Sequence, residues 1–142
     1  MSKTEYKVTL VPPERVREFW SVAKKHLQPA IELTKGRWKA DYILASLVLN
    51  EQQLWIVRNG KESIDGAITT QHTFYPEKTT LMVHFLGGVN FDEWYQELLD
   101  TMTNYARDSG CESIECLARG GFWKWFKEDG FEQSASYYEK EL

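Results

Sequence analysis

His84 stands in the run TTLMVHFLGG, Thr79 to Gly88, which reads as a strand ending in two glycines. An imidazole titrates near neutrality and can take a proton from an ammonium group, so His84 is the first candidate base. The competing reading is a cross-strand sheet histidine. His72 and Tyr75 in the preceding strand, and His26 at the end of the first helix, are weaker candidates. Gly87 and Gly88 directly precede a helix start. With Val89, Asn90 and Phe91 they can present backbone N–H groups to an anion. Asp92 and Glu93 follow in the first helical turn and compete with such an anion for the same dipole. The plainer reading of this loop is a tight strand-to-helix turn. Arg119 can hold a phosphate or carboxylate, or serve as a surface or capping arginine. Cys111 and Cys116 lack paired metal-ligand spacing, and Cys116, in an apolar run, reads as a small core residue. There is no Ser–His–Asp order, metal-ligand cluster or phosphate-binding P-loop motif.

The composition narrows the partners. A chain of 142 residues suits one domain with a single core. Its net charge of −4 argues against a general nucleic-acid or membrane-surface binder. No apolar run approaches the ~20 residues of a membrane span. Two thiols and no recognisable signal peptide point to a reducing, cytoplasmic setting. Aromatics make up 14% of the chain, with six Trp, and supply apolar area that aliphatic residues do not.

The elements that must position these residues follow from periodicity. YKVTLV, Tyr6 to Val11, alternates as a strand. PPERVREFWSVAKKHL reads as a helix with Val16, Phe19, Trp20, Ala23 and Leu27 on one face. ADYILASLVL is a second helix. The next segment reads as two strands around a turn at Asn59-Gly60, and the strand bearing His84 follows. NFDEWYQELLDTMTNYARDSG is the clearest helix. Asn90 and Glu93 suggest a capping box, Phe91, Trp94, Tyr95, Leu98, Met102, Tyr105 and Ala106 form its stripe, and Gly110 stops it. SIECLA is a fifth strand, GFWKWFKED a short helix and FEQSASYYEKEL a final strand. The α/β order is β-α-α-β-β-β-α-β-α-β, a mixed sheet with parallel fourth and fifth strands. Phe122, Trp125 and Phe126 fall at i, i+3, i+4. They are expected to bury one face of the short helix on the sheet, with Trp123 pointing away. Gly130 should supply a left-handed stop and Phe131 should pack back.

That order, together with Arg119, Phe122, Phe126, Gly130 and Phe131 at the spacings of an N-x-x-A-x-x-x-Y-x-x-x-G-F helix, resembles the GNAT superfamily of N-acetyltransferases. The resemblance implies a GNAT-like fold and transfer of an acetyl group from acetyl-CoA to a small-molecule or protein amine by direct attack. It implies pyrophosphate binding at Gly87, Gly88, Val89, Asn90 and Phe91, with Arg119 beside it. It also implies polarisation of the thioester carbonyl by the backbone N–H of Leu86, with His84 as base. Two departures stand out. The family's Q/R-x-x-G-x-G/A loop is replaced by LGGVNFDEW, and its general-acid Tyr by Phe126. They favour a second reading, a degenerate, non-catalytic GNAT-like binding or structural module that could take a protein partner. Short aromatic-rich chains with an A-R-x-G-F stretch are similar to proteins of tailed phages, which suggests a virion or host-modulating setting.

Overall fold

The computed structural model describes residues 5–60, 63–118 and 120–142. Five strands pair in sequence order: β1 Tyr6–Val11, β2 Gln53–Asn59, β3 Ile64–Tyr75, β4 Lys78–Gly88 and β5 Ser113–Cys116. The first three pairings are antiparallel and β4–β5 is parallel. A parallel pair needs a crossover, and α3, Phe91–Asp108, provides it. The helices α1, Val16–Glu32, and α2, Ala40–Val48, form a layer on the opposite face. The expected fold class is therefore present, with parallel fourth and fifth strands.

Two cores follow from strand alternation. Val11, Leu54, Ile56, Ala67 and Phe85 face α1 and α2, where Ala23, Leu27, Ile43 and Leu47 meet them. Val8, Trp55, Val57, Ile68 and Leu81 face α3, where Trp94, Leu98, Met102 and Ala106 complete the packing. The expected stripes of α1 and α3 are those that pack, although Phe19, Trp20, Phe91 and Tyr105 are only partly buried. The α1 helix runs past Pro29 to Glu32, further than the sequence suggests. Burying Ile31 on the far side of the proline offsets the missing N–H.

Three local expectations need correction. The β2–β3 turn is longer than two residues: the Asn59 N–H donates to the Ser63 carbonyl at 3.0 Å, and β3 begins at Ile64. The final strand is absent, since Phe131 to Leu142 pairs with nothing in the sheet and Glu132 to Leu142 is exposed throughout. Ser134, Ala135 and Ser136 give that segment little apolar face to bury on a sheet. The segment is held instead at Arg37, which pairs with Glu139 and stacks on Tyr137. The short helix α4 spans only Trp123–Phe126, after a 3-10 turn at Gly120–Phe122. Its ring contacts are with α3. Phe122 and Trp125 meet Phe91 edge-on, and Trp125 also meets Tyr95. Trp125 and Phe126, expected to be largely buried, are half-buried as a result, while Trp123 points outward as expected.

The stop after α4 is as anticipated. Gly130 has φ +83°, the Phe131 N–H donates to the Phe126 carbonyl at 3.3 Å, and the two rings lie 4.8 Å apart. This is a Schellman closure with its hydrophobic contact. Gly110 closes α3 in the same manner, with the Cys111 N–H on the Ala106 carbonyl and the Gly110 N–H on Arg107.

Candidate functional site

The sheet opens beside His84. In the β3–β4 ladder Thr69 pairs with Phe85 and Thr70 with Val83, which leaves His84 as the extra residue of a β-bulge. The Phe85 N–H is satisfied by the buried Thr69 hydroxyl at 3.1 Å. Pairing between β4 and β5 ends at Val83 and Cys116, while β4 continues to Gly88. The Phe85 and Val89 N–H groups both point to β3, the latter to the Asp65 carbonyl at 2.8 Å. Strand alternation therefore turns the Leu86 N–H to the other edge, into the gap where β5 has parted.

The loop between α1 and α2 and the start of β2 enclose the His84 ring. Its Nδ1 lies 3.0 Å from Oε1 of the buried Gln52. With the proton on Nδ1 this contact is a hydrogen bond to the amide oxygen, and that tautomer leaves the lone pair on Nε2. Trp38 approaches edge-on at 4.9 Å and Phe85 at 4.2 Å. Burial alone moves the imidazole pKa below its usual value, which keeps the ring neutral at pH 7. A neutral imidazole in this tautomer can accept a proton at Nε2. Neither Gln52 nor Trp38 is marked by sequence spacing, because the topology alone brings them to His84.

The strand-to-helix turn carries a network that the sequence does not reveal. Asn90 adopts φ 58°, and its side chain makes no cap. Its amide donates to Asp65 Oδ2 at 3.4 Å, so the expected capping box is not formed. The buried Asp65 carboxylate also accepts from the Tyr6 hydroxyl and the Asn59 amide, each at 3.0 Å. Burial, followed by the contact with Asp65, pushes the Tyr6 hydroxyl up to about 12. The glycines are required by close approach. A Cβ on Gly87 would fall 1.9 Å from the His26 carbonyl oxygen, and one on Gly88 2.3 Å from that of Asp65. Among the expected anion-binding amides, that of Val89 is occupied by the Asp65 carbonyl; the neighbouring Glu93 amide, outside that set, donates to the Asn90 carbonyl. Helix geometry gives the amides of Phe91 and Asp92 no acceptor within α3.

The other candidates lie apart from His84. The His26 ring nitrogen is 3.0 Å from the Ile64 carbonyl, and that of His72 is 3.1 Å from the Ser109 hydroxyl. The Tyr75 hydroxyl donates to Glu115 at 2.7 Å. Burial raises the pKa of the Cys116 thiol, which keeps it protonated at the fork of β4 and β5. Tyr95, behind the aromatic wall of α4, donates to Asp129 at 2.9 Å. Arg119 lies outside the described residues. Among the described residues no helix is long and apolar enough to cross a membrane.

No protein-family model matches the chain, and no curated protein matches it by sequence. Solved structures do. A Pyrococcus furiosus protein provisionally called an acetyl transferase superposes with a TM-score of 0.71 at 16% identity, over 97% of this chain and 100% of that one. A predicted acetyltransferase from Clostridium acetobutylicum, solved with acetyl-CoA, gives 0.67 at 13% identity over 97% of each chain. An aminoglycoside N-acetyltransferase in complex with CoA gives 0.66 at 11% identity, over 99% and 98%. With its mixed five-stranded sheet, parallel β4–β5 pair and crossing helix, this chain has the fold of the GNAT acetyltransferases.

Proposed function

We propose that the chain transfers an acetyl group from acetyl-CoA to a primary amine by direct attack. The observation that carries this reading is the juxtaposition at the β4 bulge. A neutral His84 with its lone pair on Nε2 stands beside a strand edge to which the Leu86 N–H turns. The residues fit a thioester at this edge. They fit a pyrophosphate less well, since the Val89 amide is occupied and Asp92 and Glu93 share the first turn of α3. When bound, acetyl-CoA would supply the acetyl thioester. The Leu86 N–H would donate to the thioester oxygen and withdraw electron density from its carbon. His84 Nε2 would take a proton from the incoming ammonium, freeing its lone pair for attack. Phe126 has no proton to return to the departing thiolate, so the second proton, lost by the nitrogen as the amide forms, would pass to the thiolate through water. Arg119, three residues beyond β5 in sequence, is the cation proposed for the phosphates.

Calorimetric titration with acetyl-CoA and CoA at low salt tests this reading. One charge-assisted contact fewer costs about 1.5–3 kcal/mol, so the expected Kd is roughly tens of micromolar. Arg119→Ala should bind more weakly. His84→Gln should bind CoA as the wild type does, yet lose transfer to primary amines about 100-fold, measured as free thiol released. A second reading, a GNAT-fold binding module for a protein partner, is favoured by the occupied Val89 amide and by Phe126. Absence of heat and of thermal shift at millimolar CoA would select it.

A further inference from the structure

We propose that the cavity where β2 begins is a second binding site, which takes a small uncharged amide on Gln52, Gln53 and Tyr105. The strands β2 and β4 run in the same direction, so this end of the sheet is opposite the Gly87–Phe91 turn. The cavity measures about 430 Å³, within the ~300–1,000 Å³ of small-molecule sites. It lies beyond the last β1–β2 pair, Val11 with Leu54, and between the end of α2 and Tyr105 of α3. Leu10 is exposed and Pro13 half-buried, so the cavity opens to solvent there, while the buried Val11, Val16 and Leu47 give it an apolar floor. No lysine, arginine, aspartate or glutamate is among the described residues that line it.

The polar groups of this wall are donors. Gln52 is 3% exposed, and its Oε1 is taken by His84. Its Nε2 has no partner among the described residues, yet it is not sealed off, because Thr80 Oγ1 is the fully enclosed side-chain atom that lacks one. A buried carboxamide that uses only its oxygen leaves two N–H groups for the cavity it lines. Gln53 repeats the pattern from the other face of β2. The Trp55 indole donates to the Thr70 hydroxyl, and that hydroxyl donates to Gln53 Oε1, each at 2.9 Å. Gln53 Nε2 is left without a partner among the described residues, as is the hydroxyl of Tyr105, whose ring is set against Trp55 and His72. Such donors are matched by carbonyl oxygens. A charged ligand would find no counter-ion in this wall and would lose more on leaving water than it gained. An uncharged molecule with two carbonyl groups beside an alkyl group suits both the donors and the apolar floor. Because Gln52 Oε1 meets His84, an acceptor on Nε2 also polarises the amide that the imidazole touches. The cavity stands on the Nδ1 side of that ring, so the site does not depend on the transferase reading.

The test is an NMR titration of the isotope-labelled full chain with N-acetyl-L-leucinamide and with its anionic counterpart, N-acetyl-L-leucine. The uncharged probe should shift the side-chain amide signals of Gln52 and Gln53 saturably, with a Kd of about 1 mM. The His84 ring signals should move with the same Kd, and the carboxylate should bind at least about fivefold more weakly. Gln52→Leu and Tyr105→Phe should each weaken the probe about three- to tenfold, the loss of one neutral hydrogen bond. If Gln52→Leu does not fold, Tyr105→Phe and Gln53→Leu decide. The absence of saturable shifts at about 10 mM probe would overturn the proposal. So would shifts confined to residues outside the cavity, equal binding of the two probes, or undiminished affinity in the folded variants. Probe binding by a protein that ignores CoA would keep this site and discard the transferase reading. CoA binding with indifference to the probe would do the reverse.

Discussion

At the scale of single residues, His84 links chemistry to stability. Its pKa is lowered from 6.5 by burial, so the folded chain resists a proton that the unfolded chain accepts. A unit or more above pH 6.5 both states hold a neutral ring and the stabilisation is complete. As pH falls below that value the unfolded state gains protons first, and stability is lost until the folded ring also titrates. Denaturant midpoints at about pH 8, 6.5 and 5.5 should therefore fall more steeply for the wild type than for His84→Gln. Parallel curves would show that His84 is not desolvated. The position of this residue on a strand was legible from alternation, and its proton chemistry from its type. Its bulge was not, because that depends on Thr69, a residue of another strand whose hydroxyl takes the Phe85 N–H.

At the scale of elements, the glycines separate into two mechanisms. Gly87 meets backbone, with the His26 carbonyl 1.9 Å from a would-be Cβ. Gly87→Ala must displace α1 from β4 and should cost about 3 kcal/mol, the upper end of overpacking losses. Gly130 has φ +83° and nothing within 4 Å of the same position. Gly130→Ala should cost about 1–2 kcal/mol for the left-handed conformation alone, and Gly130→Asn should recover much of it. Equal losses at the two sites in urea unfolding would refute this division. The same contrast explains what could be read in advance. The α3 stripe and the Gly130-Phe131 closure rest on residues a few positions apart, so periodicity and stop signals reveal them. The capping box failed because Asn90 prefers Asp65, distant in sequence. The last strand failed because the segment from Glu132 is exposed and finds its partner at Arg37 in another loop. Gln52, Trp38 and the fork of β4 and β5 were equally beyond local reading.

At the scale of the whole molecule, two faces of one sheet carry separate cores, and α3 packs over the second. Trp94 is fully buried there, so Trp94→Ala should cost about 3–5 kcal/mol. Half-buried Phe126, packed between Phe122 and Phe131, should cost only about 1–2 kcal/mol as Ala. Chemical denaturation of both variants checks the ranking, and a reversed order would place the aromatic wall of α4 inside the main core. Sequential strand order has a consequence for biosynthesis. Strands β1 to β4 can pair, and α1 and α2 can cover one face, as soon as Gly88 has left the ribosome. Trp55, Val57, Ile68 and Leu81 then form an apolar face still in water, since their cover is encoded afterwards in Phe91–Asp108. A half-made chain is thus finished on one side and adhesive on the other, so each pause in translation before α3 emerges is an opportunity for aggregation or chaperone capture.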